Sequence, residues 1–251
     1  MFTGVVWAQE PPESGSNGTR LAFPGFWNIR HNPAGLAHLN RPGLGLFVER
    51  LLPDAELAEW QLAGLAHYRG FSFGAYWERF GYSQFNRQRL GLVGSRMLSD
   101  RFSIGAEFAY LRVRIPEYGS AGSPLIGASL MYRTGQELSV GFRVRQMFRE
   151  PSADASGRNP PEISLGLSYA IFSGAFVFVE STFDGRVTPE ARGGIEFIWH
   201  THFMGSLSWK SATQGLAAEV TVWQRRWRVT VGSEYHGLLG MRPSVGVVSF
   251  P

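Results

Sequence analysis

The chain has 251 residues, a net charge of +4, 44% hydrophobic residues and no cysteine. Disulfides, thiolate metal sites and cysteine nucleophiles are thereby excluded. The basic residues are scattered rather than clustered, which argues against a nucleic-acid partner, and no run approaches the ~18–20 apolar residues of a transmembrane helix.

The composition points elsewhere. Mean hydropathy is close to zero, yet aromatics reach 14% and glycines number 31. A membrane β-barrel has this signature, because its strands alternate lipid-facing apolar residues with polar lumen-facing ones and carry aromatic girdles.

In chain order, residues 1–9 read as a signal-peptide remnant. Val6-Trp7-Ala8 resembles a cleavage site and Gln9-Glu10 a mature start; an ordinary frayed N-terminus is the alternative. Residues 10–42 form a lead-in, rich in Pro, Gly, Ser and Asn as far as residue 25, that holds the apolar stretch Leu21-Ala22-Phe23-Pro24-Gly25-Phe26-Trp27.

From residue 43 to 251 the pattern predicts one barrel of about fourteen strands. Strands are expected over 43–49, 59–68, 71–80, 87–97, 102–113, 125–133 and 138–148. They continue over 162–171, 175–183, 190–199, 203–210, 216–223, 227–235 and 242–250. Phe102, Ile104, Ala106, Phe108 and Tyr110 share one face, with Ser103, Gly105 and Glu107 on the other. Such period-two alternation specifies strand rather than helix. Facing is not assigned for 87–97, 125–133 and 175–183.

The predicted connections alternate long and short, with 114–124 and 149–161 among the long ones. That is the plan of an up-and-down transmembrane barrel with short periplasmic turns. A two-residue turn at Arg69-Gly70 pairs Tyr68 with Phe71, Ala66 with Phe73 and Leu62 with Trp77. A turn at Arg225-Arg226 pairs Val222 with Val229 and Trp223 with Arg228. A one-residue slip would turn either apolar set over. Aromatics near the strand ends, from Trp60, Tyr68 and Trp77 to Trp199, Trp209, Trp223, Trp227 and Tyr235, are expected to form interface belts.

A triplet, Ser/Thr, apolar, Gly, recurs along the strands, and its small residues point to the predicted lumen. It occurs as Ser72-Phe73-Gly74, Ser103-Ile104-Gly105, Ser139-Val140-Gly141, Ser164-Leu165-Gly166, Thr230-Val231-Gly232 and Ser244-Val245-Gly246. Glycine inside a strand marks strand bending or the close approach of another backbone. The occupant proposed for the lumen is the N-terminal segment, acting as a plug. Lumen-facing charges are expected at Glu107, Arg143, Arg145, Arg192, Glu196, Arg228 and Glu234. Their mixed signs suggest internal ion pairs or a merely solvated polar interior.

Asn32-Pro33-Ala34-Gly35-Leu36-Ala37, placed just before the first strand, resembles the N-terminal hatch of the FadL family of fourteen-stranded barrels. It is more similar still to the PorV/PorQ-like branch of Bacteroidota, and Tyr235–Ser244 resembles the last hairpin of barrels in that group. The resemblance implies an outer-membrane location and a hatch containing Asn32, Pro33 and Ala34. Put first, it implies an accessory or scaffold barrel that binds an envelope or secreted protein in secretion. The alternative it implies is FadL-like transport of small hydrophobic molecules. This chain departs from both in being shorter, with brief outer loops.

No enzyme chemistry and no cofactor are expected. His200-Thr201-His202 has chelating spacing but no carboxylate near it in sequence. Gly166-Leu167-Ser168-Tyr169-Ala170 only approaches a nucleophile elbow and lacks the strand-turn-helix setting.

Overall fold

Each strand pairs antiparallel with its neighbours in sequence, and the first strand pairs with the last, so the sheet closes on itself. The computed structural model describes residues 21–50, 57–135, 137–148, 160–185, 188–200, 202–212, 214–237 and 240–251. The expected signal remnant therefore lies outside the described residues, as does most of the lead-in before Leu21.

Among the described residues there are fourteen strands. They are β1 (Gly43–Arg50), β2 (Ala58–Tyr68), β3 (Phe71–Gly81), β4 (Asn86–Ser99), β5 (Phe102–Ile115), β6 (Gly119–Thr134) and β7 (Leu138–Met147). Then follow β8 (Glu162–Phe172), β9 (Ala175–Phe183), β10 (Glu190–His200), β11 (Phe203–Lys210), β12 (Gly215–Trp223), β13 (Trp227–His236) and β14 (Gly240–Ser249). Closure satisfies the backbone of every strand within the sheet, the condition for crossing a bilayer.

The turn chemistry sets the register as expected. Arg69 and Gly70 have φ of 49° and 80°, the left-handed pair of a type I′ turn. Tyr68 then meets Phe71 and Leu62 meets Trp77. At the Arg225-Arg226 turn, Val222 meets Val229 and Trp223 meets Arg228.

Two connections expected to be long are short: β13 ends at His236 and β14 begins at Gly240, and the larger difference is at 114–124. Residues 114–124 are not a long loop: β5 runs to Ile115 and β6 begins at Gly119, so only Pro116, Glu117 and Tyr118 turn the chain. Gly119–Ser123 look like loop residues, yet they hold ladder positions opposite Leu111–Ile115. The glycine here has a steric reason, since a Cβ on Gly122 would lie 2.2 Å from the Tyr110 hydroxyl. The contrast in loop length is accordingly weaker than the sequence suggested.

The outer face is apolar around the barrel, with Leu44, Leu62, Leu92, Phe108, Leu165, Val179, Leu207, Val220, Val231 and Val245 all exposed. A continuous band of this kind is out of place in water and is the lipid-facing surface of a membrane barrel. Trp60, Tyr110, Trp209 and Tyr235 girdle the long-loop end; Tyr68, Trp199, Phe203 and Trp227 girdle the other. Trp223 does not join a belt. It follows outward Val222 and precedes the turn, so the alternation turns it inward opposite Arg228.

Candidate functional site

The lumen is occupied by the chain's own residues. Leu21–Trp27, a single helical turn α1 (Asn28–His31) and a 3-10 turn (Pro33–His38) lie inside the barrel ahead of β1. Proline at the first position suits the 3-10 turn, where an N–H would find no partner. Phe26 and Trp27 stack edge to face at 5.2 Å, and reach Phe250 at 6.4 Å and Phe47 at 5.9 Å. With Ile29, Leu36 and Leu39 they form a dry cluster against Ala63, Leu65, Tyr76, Val93, Ala109, Leu125 and Val248.

Four of the six glycine triplets meet this inner segment. A Cβ on Gly105 would lie 2.4 Å from the Ala34 nitrogen, and one on Gly141 would lie 2.0 Å from the Leu21 carbonyl oxygen. Gly74 and Gly166 face Ile29 and Leu21 in the same way. The serines of two triplets bond to the segment's backbone: Ser72 Oγ donates to the Leu36 carbonyl at 3.1 Å and Ser103 Oγ to the Ala34 carbonyl at 2.9 Å. Asn32, Pro33 and Ala34 are all buried here. The Asn32 amide donates to the Leu21 carbonyl, and the Ala34 N–H donates to Ser129 Oγ at 3.0 Å.

Ionic contacts hold the segment on its other side. Arg30 pairs with Glu59 at 2.8 Å and with Glu78. Burial works against the Arg30 guanidinium, but Glu78 and Glu59 outweigh it and hold its pKa above the usual value. Arg143 donates to the His31 carbonyl at 2.7 Å, and Arg145 to the Arg30 carbonyl at 2.6 Å. Arg145 also pairs with Glu107 at 3.0 Å, and Arg143 with Glu162. The Tyr76 hydroxyl donates to Glu107. Burial, and then the charges of Arg30, Arg143, Arg145 and Arg192, keep His31 well below the usual imidazole pKa, so it is neutral. Burial, and then Arg133, hold His38 down at about 4.

The remaining charges singled out from the sequence lie farther round the wall. Arg192 donates to Ser208 Oγ at 3.1 Å. Glu196 is fully buried. Arg228 sits over the Phe250 ring at 5.4 Å. Glu234 joins Lys210 at 2.5 Å and Arg242 at 3.9 Å. The sequence reading missed Arg30, Glu59, Glu78, Glu162, Lys210 and Arg242. Strand alternation alone would have turned the five of these that lie on strands inward. Arg30 lies on α1 and carries no such signal.

The segment divides the lumen. On the long-loop side a polar basin of 290 Å³ is lined by Leu21, His31, Arg143, Arg192, Lys210 and Glu234, among others. At the short-turn rim a chamber of 670 Å³ lies between Ala22, Phe23 and Pro24 and the ends of β6–β9, with Ser139, Ser168 and Phe176 turned inward and Leu138 and Tyr169 at its outer edge. Phe23 and Phe176 meet edge to face at 5.4 Å in its lining.

Three solved structures share this arrangement of strands. The toluene transporter TodX of Pseudomonas putida superposes with a TM-score of 0.63 at 9% identity, over 96% of this chain and 98% of that one. The toluene transporter TbuX of Ralstonia pickettii gives 0.64 at 12% identity, over 98% and 100% of the two chains. A FadL homologue of Pseudomonas aeruginosa gives 0.62 at 11% identity, over 95% and 97%. The likeness is one of fold. No family model and no curated protein matches the sequence.

Ser168 lines the chamber on a regular strand, and Thr201 of the His-Thr-His triplet lies outside the described residues.

Proposed function

We propose that this barrel passes small hydrophobic molecules across the bacterial outer membrane, with residues 21–42 as its hatch and Asn32, Pro33 and Ala34 at the hatch's centre. The observation that carries the proposal is the chamber at Phe23. Its 670 Å³ lies within the range of about 300–1,000 Å³ typical of small-molecule sites. Its lining joins the apolar Ala22, Phe23, Pro24 and Phe176 to the polar Arg133, Glu137, Ser139 and Ser168. The hatch separates this chamber from the polar basin, so a path between them requires the hatch to shift. The two toluene transporters with this fold support the same substrate class.

The accessory role in secretion, which the Asn-Pro-Ala hexapeptide put first, draws no support from these likenesses and moves behind transport. A stoichiometric protein partner in a mild-detergent pull-down would restore it.

The test is fluorine NMR of a fluorotoluene titrated into the barrel in lipid nanodiscs. A bound resonance distinct from the lipid-partitioned one is expected. Ser168→Trp, which fills the chamber, should weaken binding on the order of tenfold or more. No bound resonance, or the same resonance in the variant, would remove the chamber as a binding site.

A further inference from the structure

The outer face of β3–β5 changes character abruptly along its ladder rows. Ala75, Leu92 and Phe108 form one row and Trp77, Leu90 and Tyr110 the next. The following row is Arg79, Gln88 and Arg112, and the last is Gly81, Asn86 and Arg114. All of these side chains alternate outward with the exposed Leu90, Leu92, Phe108 and Tyr110. The order is hydrocarbon-facing, then aromatic girdle, then arginine.

Geometry makes the arginines converge. Arg112 and Arg114 stand two residues apart on one strand, about 6.6 Å, and Arg79 stands two strands away, about 9.6 Å. Extended guanidinium groups bridge such gaps. Together with Asn86, Gln88 and Tyr82 they line a recess of 360 Å³ at the long-loop rim. Among the described residues none of the three arginines has a carboxylate within ion-pairing distance, Glu117 in the adjoining turn included. The lumen's arginines behave otherwise: Arg30, Arg143, Arg145 and Arg242 all pair with glutamates.

We propose that this recess binds the phosphate of an anionic lipid in the membrane leaflet at the long-loop rim. The three arginines grip the phosphate, Asn86 and Gln88 donate to its neighbouring oxygens, and the acyl chains descend along Leu90, Leu92 and Phe108. Guanidinium suits this role because its planar fork matches phosphate oxygens in pairs and it sheds water more readily than an ammonium. One row beyond an aromatic girdle is headgroup depth. A soluble anion would need no apolar strip beneath the charge, and a lipid does. The proposal rests on the membrane reading of the barrel, but not on what the barrel carries.

The test uses the full-length barrel in non-ionic detergent, with lipid A as the probe. Dephosphorylated lipid A and inorganic phosphate are the comparison ligands, and binding is read by native mass spectrometry. Arg79→Gln/Arg112→Gln/Arg114→Gln should weaken lipid A binding by roughly fivefold per arginine, about a hundredfold in all. Replacing the same three by lysine should recover part of that loss. Arg96→Gln/Arg101→Gln at the opposite rim should change nothing. A heat-dependent gel shift establishes that each variant is folded, and fluorotoluene binding should be the same in all of them. Equal lipid binding by the triple glutamine variant would overturn the proposal, as would equal binding of dephosphorylated lipid. Inorganic phosphate binding as tightly as lipid A would make this a free-anion site and overturn the lipid assignment.

Discussion

The two halves of the wall present the same surface to lipid and opposite surfaces to the lumen. Along β14 and β1–β6 the buried inward side chains include Phe47, Ala63, Leu65, Tyr76, Val93, Ala109, Leu125 and Val248. Along β7–β13 they include Arg143, Arg145, Glu180, Arg192, Glu196, Glu219 and Glu234. The first half is covered by the inner segment's aromatic side and the second surrounds the polar basin. Strand alternation decides which way a residue points; what covers it decides whether it is apolar. The acidic exceptions in the covered half, Glu49, Glu59, Glu78 and Glu107, are each paired with an arginine, as buried charges must be.

The most severe way to break this contrast is to remove the cover. Deleting residues 21–37 should leave the first half facing water and raise single-channel conductance in planar bilayers severalfold. An unchanged conductance would mean that this stretch does not block the lumen.

Displacing the cover without deleting it comes next. Gly105→Val and Gly141→Val each drive a side chain into backbone atoms of the inner segment that cannot yield. Limited proteolysis should then cut the segment in both variants. Gly94→Ala, whose nearest new neighbour is a Phe73 ring carbon at 3.9 Å, should behave as wild type; cleavage there would show that glycine loss alone destabilises the wall.

A smaller effect is expected from the ionic side. Arg145→Met leaves Glu107 buried with only Tyr76 for company. Breaking one partner of such a pair costs about 3–5 kcal/mol. The double variant with Glu107→Gln should recover much of this in a thermal unfolding cycle. Additive losses would show that the two residues do not act as a pair.

The mildest test is pH. The His38 imidazole, held at about 4 against an ordinary 6.5, stays neutral in the folded chain while the unfolded chain takes up a proton. Its contribution is therefore fully present above pH 6.5 and declines as pH falls toward 4. Protease protection of the inner segment should weaken over that window, and His38→Gln should flatten the change. Equal protection at both ends would sink the assignment.

Much of this architecture was legible beforehand because alternation and turn chemistry are local. Arg69-Gly70 alone specifies a turn, and the turn specifies which residues face lipid across β2 and β3. The failures were tertiary. Gly119–Ser123 resemble a loop because small residues have little strand preference; Tyr110 supplies the reason for Gly122 from the next strand. The glycine triplets indicated a close neighbour, but no periodicity could say that Gly105 meets Ala34 rather than another part of the chain. Alternation turns Arg143 and Arg145 inward but cannot name their acceptors, the Arg30 and His31 carbonyls left open at the end of a four-residue helix. The chamber at Phe23 was beyond reach, since its lining comes from the segment and four strands at once.

The Phe26 ring has a consequence for assembly. It packs against Gly43 and Gly45 of the first strand and against Phe250 just after the last. Pairing β1 with β14 joins opposite ends of the barrel, the most non-local step in building the sheet and the one that loop-closure entropy opposes most. A ring that touches both edges is placed to hold them together as the seam closes. The segment that fills the lumen thus also bridges the seam. Phe26→Ala should delay the folded, heat-shifted band when the chain inserts into lipid vesicles. An unaltered rate would mean that the seam closes without it.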